Sequence, residues 1–151
     1  MRWFRDRDYL ETVEGLMFTV VSNLHPRDKV IAYLKYAPSP DGRWGRGEER
    51  YRRMMPYYDV PSLLNTIQLL EERYPHYVHW VEELGIKISA VPLSYVRRHF
   101  KPEERLRELL EEPRDALEEL AAELATLISS RAGVPRSALG VTGSLLIGIH
   151  R

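Results

Sequence analysis

In the first hundred residues the apolar positions come in short runs, not at helical spacing. Leu16-Met17-Phe18-Thr19-Val20-Val21 and Val30-Ile31-Ala32-Tyr33-Leu34-Lys35-Tyr36 are rich in β-branched and aromatic residues. Asn23-Leu24-His25-Pro26-Arg27-Asp28 supplies turn formers between them, so a hairpin is expected over 16–36. Pro38, Pro40, Gly42, Gly45 and Gly47 break up residues 37–47, which predicts a loop. Residues 48–58 fit either a third strand or an irregular return. The period then changes. Leu63, Leu64, Ile67, Leu70 and Tyr74 recur as one helical stripe behind Asp59 and Pro61, and Pro75 stops it. Residues 77–80 and 86–91 read as two more strands.

After Pro92 the pattern turns helical. Residues 95–99 fit a short helix, and 102–111 carry Leu106, Leu109 and Leu110. A longer helix opened by Pro113 would gather Leu117, Leu120, Ala121, Leu124 and Ile128 on one face. Glu118, Glu119 and Glu123 would lie off that face, and Gly133 would end the helix. The fold class expected is α+β: a small antiparallel or mixed sheet with covering helices, then a helical segment leading into a strand and a Gly-Ser turn. Two regions follow, a sheet-containing 1–92 and a helical 93–151, with the change of character between 92 and 101.

The chain has 151 residues and no cysteine, which excludes disulfides, thiolate metal sites and cysteine nucleophiles. No run is long and apolar enough to span a membrane, and the charged N-terminus lacks a signal-peptide core, so a cytoplasmic location is expected. Twenty-two basic residues balance twenty-two acidic ones. With no net field to attract nucleic acid, only a local patch could bind it. The scarcity of lysine relative to arginine, with no cysteine, fits a thermophile's ion-pair networks or GC-rich coding.

Two segments carry candidate chemistry. Leu139-Gly140-Val141-Thr142 runs into Gly143 and Ser144, with Gly148 four residues after Ser144. Glycine allows close backbone approach, and a serine with turn amides can hold phosphate oxygens at a helix start. A glycine turn without any ligand has the same spacing. Arg43, Trp44, Arg46, Arg50, Tyr51 and Arg53 mix guanidinium groups with aromatic rings, the combination that stacks and neutralises single-stranded nucleic acid. An edge strand guarded by arginines would look the same. His76 and His79 are three apart, but on a strand they face opposite sides, so no metal site is expected there.

The Gly143-Ser144-x-x-x-Gly148 run resembles the Gly-Ser motif of polymerase-β-type nucleotidyltransferases. The chain is similar to the N-terminal part of an uncharacterised archaeal family of predicted nucleotidyltransferases. The resemblance is carried by residues 8–16, His25-Pro26-Arg27-Asp28, Tyr33-Leu34-Lys35-Tyr36, Tyr74-Pro75-His76-Tyr77, Lys101-Pro102-Glu103-Glu104 with Leu106, and residues 140–150. It implies a nucleotide partner and, in a complete member, magnesium held by an Asp-x-Asp pair after the motif. That pair is absent from this sequence, which ends at Arg151. The expectation is therefore a substrate-positioning or anchoring region that is inactive alone, with no catalytic residue and no cofactor of its own. Gly143, Ser144 and Gly148 are its phosphate-binding candidates. A non-enzymatic nucleic-acid-binding module and a protein-interaction domain are the alternatives. Leu145, Leu146, Ile147 and Ile149 are expected to be left exposed and to favour a homo-oligomer.

Overall fold

The computed structural model describes residues 2–151, with the side chain of Arg46 outside the description. The architecture is α+β. Strands β1 (Tyr9–Thr12), β2 (Met17–Val20), β3 (Lys29–Pro38), β4 (Trp44–Arg46), β5 (Glu49–Arg53), β6 (Val78–Val81), β7 (Ile86–Pro92) and β8 (Val96–Phe100) form an eight-stranded antiparallel sheet. Helices α1 (Val60–Arg73), α2 (Pro102–Glu111) and α3 (Ala116–Ala132) complete it.

The main sheet runs β4-β5-β3-β2-β1-β8. The expected β2–β3 hairpin forms, with Phe18 opposite Leu34. The ten-residue β3 is long enough to take two neighbours on its other edge. Val30 faces Val91 of β7, whereas Tyr36 faces Arg53 of β5. The sheet therefore forks around residues 32–35. The Ser89 hydroxyl donates to the Ala32 carbonyl there, and the Met54 amide donates to the Lys35 carbonyl at 2.8 Å. Backbone groups released by the fork are thus satisfied.

Strand alternation builds a core on each face. Leu10, Phe18, Val20, Val30, Ala32 and Leu34 pack with Leu70 of α1 and with Tyr77 on one side. Tyr9, Met17, Tyr36 and Tyr51 pack on the other side against Leu146, Ile147 and Ile149. Asp59 caps α1 as expected, accepting from the Ser62 amide at 2.8 Å. The buried face of α1 is made by Ser62, Thr66, Ile67 and Leu70, while Leu64 of the expected stripe is exposed.

Several expectations are corrected. Residues 95–99 do not form the expected short helix: Tyr95 ends a 3-10 turn, and from Val96 on β8 pairs with β1, so Tyr9 lies opposite Phe100. Local propensity in Val96-Arg97-Arg98-His99-Phe100 yields to a sheet edge needing a partner. Part of the expected 37–47 loop is β4, hairpinned to β5 through Gly47. No regular strand precedes Gly143: residues 139–142 are irregular and 143–148 form consecutive turns. Helix α3 starts at Ala116 rather than at Pro113, because the Asp115 carboxylate accepts from the Leu117 and Glu118 amides. The leucine face points away from the rest of the chain, and of the three glutamates only Glu118 turns inward. Glu118 is fully buried, and Leu117, Leu120, Leu124 and Ile128 are exposed. Leu146, Ile147 and Ile149 are buried within the chain, which removes the expected exposed C-terminal segment and the self-association argued from it. Among the described residues, no helix is long and apolar enough to cross a membrane.

Candidate functional site

The two candidate segments, far apart in sequence, meet on one face of the sheet. The turn of residues 143–148 begins and ends in left-handed glycines, Gly143 at φ 69° and Gly148 at φ 70°. A side chain at either position would strain the backbone. Between them the Leu146 amide donates to the Gly143 carbonyl at 3.2 Å, and the Ile149 amide donates to the Ser144 carbonyl at 3.0 Å. This coil lays Leu146, Ile147 and Ile149 onto Tyr9, Tyr36 and Tyr51, and Trp44 packs at its border. The Gly45 amide then donates to the Ile149 carbonyl at 3.0 Å, and the Arg151 guanidinium lies 4.7 Å from the Trp44 ring centroid.

Two clefts open beside this turn. One, of about 310 Å³, is lined by Arg98, Phe100, Lys101, Arg105, Arg114 and Gly148 together with Glu104 and Glu108. The other, of about 280 Å³, shares Arg98, Phe100, Ile147 and Gly148 and adds Glu11, Glu49 and Arg97. Arg105 fixes the wall between α2 and the turn. Its Nε donates to the Leu145 carbonyl at 3.3 Å, its Nη1 to Glu108 at 2.9 Å and its Nη2 to Glu118 at 2.6 Å. Lys101 reaches Glu104 at 2.7 Å. Arg98 lies over the Phe100 ring at 4.7 Å and only 3.9 Å from Glu11, so it is held loosely. An anion entering beside Gly148 would meet Arg98, which lines both clefts. It could recruit Lys101 by displacing the exposed Glu104, since such ion pairs are weak.

Gly143 and Ser144 are half-buried on the turn, and Gly148 lines both clefts. Arg43 and Arg50 are exposed, Trp44 and Arg53 are half-buried, and a third cavity of about 460 Å³ runs past Arg43, Trp44, Arg52, Arg53 and Tyr57. Tyr51 does not belong with them. It alternates inward on β5 and is 8% exposed, so its ring is unavailable for stacking. The side chain of Arg46 lies outside the described residues. His76 and His79 do not converge: His76 Nε2 sits 3.1 Å from Glu14, and His79 Nδ1 sits 3.3 Å from Lys29 Nζ.

Asp115, Glu118 and His150 bring ligand atoms within 4.8 Å of one another. His150 Nε2 is 2.8 Å from Asp115 and 3.8 Å from Glu118. Glu118 already accepts from the Arg105 guanidinium and, at 2.8 Å, from the Arg114 amide. Magnesium prefers an all-oxygen shell with retained water, whereas this group offers an imidazole and a carboxylate neutralised by arginine, so it does not fit that ion. It is better described as a buried ion-pair network that seats the turn on α2 and α3. The sequence signal for it was Asp115-x-x-Glu118 at a helix start, the spacing of a capping box.

Lys35 also escaped the sequence reading, because it lies inside an apolar strand. Its side chain is buried at the fork, donates to the Met55 carbonyl at 3.3 Å and lies 3.7 Å from the Tyr58 ring centroid. Burial, helped by the neighbouring Arg53 charge, pushes its ammonium down to about 8.

The chain is 33% identical over 150 residues to MJ1086, an uncharacterised protein of the archaeon Methanocaldococcus jannaschii. The match takes in 97% of this chain and 44% of that protein, so the chain spans less than half the length of this relative. No family model and no solved structure matches the chain.

Proposed function

We propose that this chain is the N-terminal, substrate-positioning region of a nucleotidyltransferase-like protein, and that it is inactive by itself. The observation that carries this reading is the joining of the Gly143–Gly148 turn to the Trp44 strand through the Gly45–Ile149 bond, beside a cleft in which Arg98, Lys101, Arg105 and Arg114 outnumber Glu104 and Glu108. The expected ligand is phosphate-bearing, a nucleotide or the end of a nucleic-acid strand, with Arg98 and Lys101 meeting its oxygens. Gly148 leaves the backbone open to it. Residues 143–148 contain no carboxylate, and no transfer step is assigned to this chain. The sequence resemblance of the Gly143-Ser144-x-x-x-Gly148 run supports the same reading.

A second reading, a non-enzymatic single-stranded nucleic-acid module, is favoured by the cavity that places Trp44 among Arg43, Arg52 and Arg53. Calorimetric titration with a nucleoside triphosphate and with a single-stranded oligonucleotide separates the two. The first reading expects triphosphate binding that Arg98→Ala with Lys101→Ala abolishes, and no labelled product with magnesium or manganese. The second expects oligonucleotide binding that falls steeply with salt and loses about 1–3 kcal/mol on Trp44→Ala. Protein-dependent transfer overturns inactivity, and absence of binding to either ligand overturns both readings.

A further inference from the structure

The smaller cleft beside the turn, of about 280 Å³, holds a buried acid that phosphate binding does not use. Glu11 follows Tyr9 by two residues on β1, so strand alternation puts both on the same face of the sheet. Only 7% of Glu11 is exposed, and it shares the cleft with Met17, Tyr51 and Phe100. A carboxylate among such neighbours is costly to bury unless it is hydrogen-bonded. The arginines beside it do not supply that bond. Arg97 Nη1 stands at 3.7 Å and Arg98 Nη1 at 3.9 Å, beyond hydrogen-bond range, and both side chains are largely exposed. A bulge is the cause. Glu11 pairs with Arg98 and Thr12 pairs with Val96, so Arg97 is an extra residue in β8. Two guanidinium groups therefore flank one carboxylate loosely.

We infer that Glu11 accepts hydrogen bonds from the ribose hydroxyls of a nucleotide whose phosphates lie in the neighbouring cleft. This assignment rests on the phosphate-binding reading of that cleft. The two clefts share Arg98, Phe100, Ile147 and Gly148 but differ in charge. Cations outnumber acids in the larger one, whereas in the smaller one Glu11 and Glu49 offset Arg97 and Arg98. Phosphates are drawn to the first and not to the second, which orients the ligand. An ionised carboxylate can only accept, so it recognises a hydroxyl or amino donor. The donors of a nucleotide nearest its phosphates are the ribose hydroxyls, and the shared wall keeps Glu11 next to the phosphate cleft. Phosphate oxygens also compete with Glu11 for Arg98. A hydroxyl on the same ligand makes up for that loss with a charge-assisted hydrogen bond. Glu11 is thus a specificity-determining residue, selecting ribonucleotides from other phosphate-bearing ligands.

Calorimetric titration of the chain with ATP, with 2′,3′-dideoxy-ATP and with inorganic tripolyphosphate tests the assignment. The wild type should bind ATP at least about tenfold more tightly than the dideoxy analogue, which lacks the hydrogen bonds to a charged acceptor. Glu11→Leu, with circular dichroism confirming its fold, should erase that difference. The same variant should bind tripolyphosphate more tightly than the wild type, because a competing acid has left Arg98. The comparison of ATP with its dideoxy analogue on the wild type needs no variant, so the inference stays open to refutation if Glu11→Leu misfolds. Equal binding of the two nucleotides overturns the role of Glu11 and leaves the phosphate cleft standing. A ribose preference that survives Glu11→Leu does the same. Failure of both ATP and tripolyphosphate to bind overturns the phosphate reading and this inference with it.

Discussion

The amide of Gly45 donates to the carbonyl of Ile149 across 3.0 Å, stitching the tip of β4 to the tail of the chain. Gly45 is at φ 113°, and a Cβ there would stand 2.0 Å from the Glu49 carbonyl oxygen. Gly45→Ala should therefore break the β4–β5 hairpin and release the tail together, at a cost of about 2 kcal/mol or more. A thermal melt followed by tryptophan fluorescence reads both, because Trp44 loses its cover. An unchanged melting temperature would mean that the stitch holds nothing.

Arg105 and Glu118 should behave as a pair. Arg105→Ala leaves a fully buried carboxylate without its guanidinium and should cost about 3–5 kcal/mol, whereas Arg105→Leu with Glu118→Leu should recover most of it. Urea unfolding of the two variants makes the comparison. Equal losses would show that the network's contribution is packing and not charge.

Lys35 predicts an unusual pH dependence. Its ammonium is destabilised in the fold, from 10.5 to about 8, so between those values the unfolded chain binds the proton more readily. Stability from this group therefore rises as pH increases through that window. Lys35→Met should raise the melting temperature at pH 7, and the advantage should shrink toward pH 10. A constant difference across pH would contradict the buried-ammonium account.

Asp8 acts in the opposite range. Burial alone would raise its carboxyl, but hydrogen bonds from His99, Arg2 and the Arg5 amide outweigh that and hold it below its ordinary value of 3.8. The stability it supplies is complete above that value and is lost as pH falls through the lowered one. Asp8→Asn should destabilise at pH 6 by about 3 kcal/mol and flatten the acid limb of the stability profile below pH 4. A parallel acid limb in the variant would place the loss on other carboxylates.

Much of the fold was legible where local chemistry and tertiary need agree. The β2–β3 hairpin, the Asp59 cap, the Pro75 stop and the Gly133 terminus all follow from residues acting on their neighbours. Strand β8 was illegible because it is short and charged and depends on a distant partner, and β1 because its four residues are too few to show an alternation. The apolar stripe of α3 was correctly located, but its outward direction was not legible. Periodicity reports that a stripe exists, but not whether this chain covers it, and the ion pair of Glu118 with Arg105 draws the other side inward. At the candidate site the Gly143–Gly148 turn and the arginine-rich strand were both visible, but their meeting was not, since no local signal links Gly45 to Ile149. Tyr51 was misjudged because an aromatic beside arginines reads alike whether it points in or out.

The pairing of β1 with β8 also sets the order of assembly. His99 reaches Asp8 at 2.7 Å across 91 positions of chain, whereas β1, β2 and β3 are neighbours in sequence. Loop-closure entropy makes the distant contact late. The meander of β1 to β3 can form early with one edge open, and β8 must arrive to close it. While a nascent chain waits for residue 99, that bare strand edge is the place where misassembly between copies would begin.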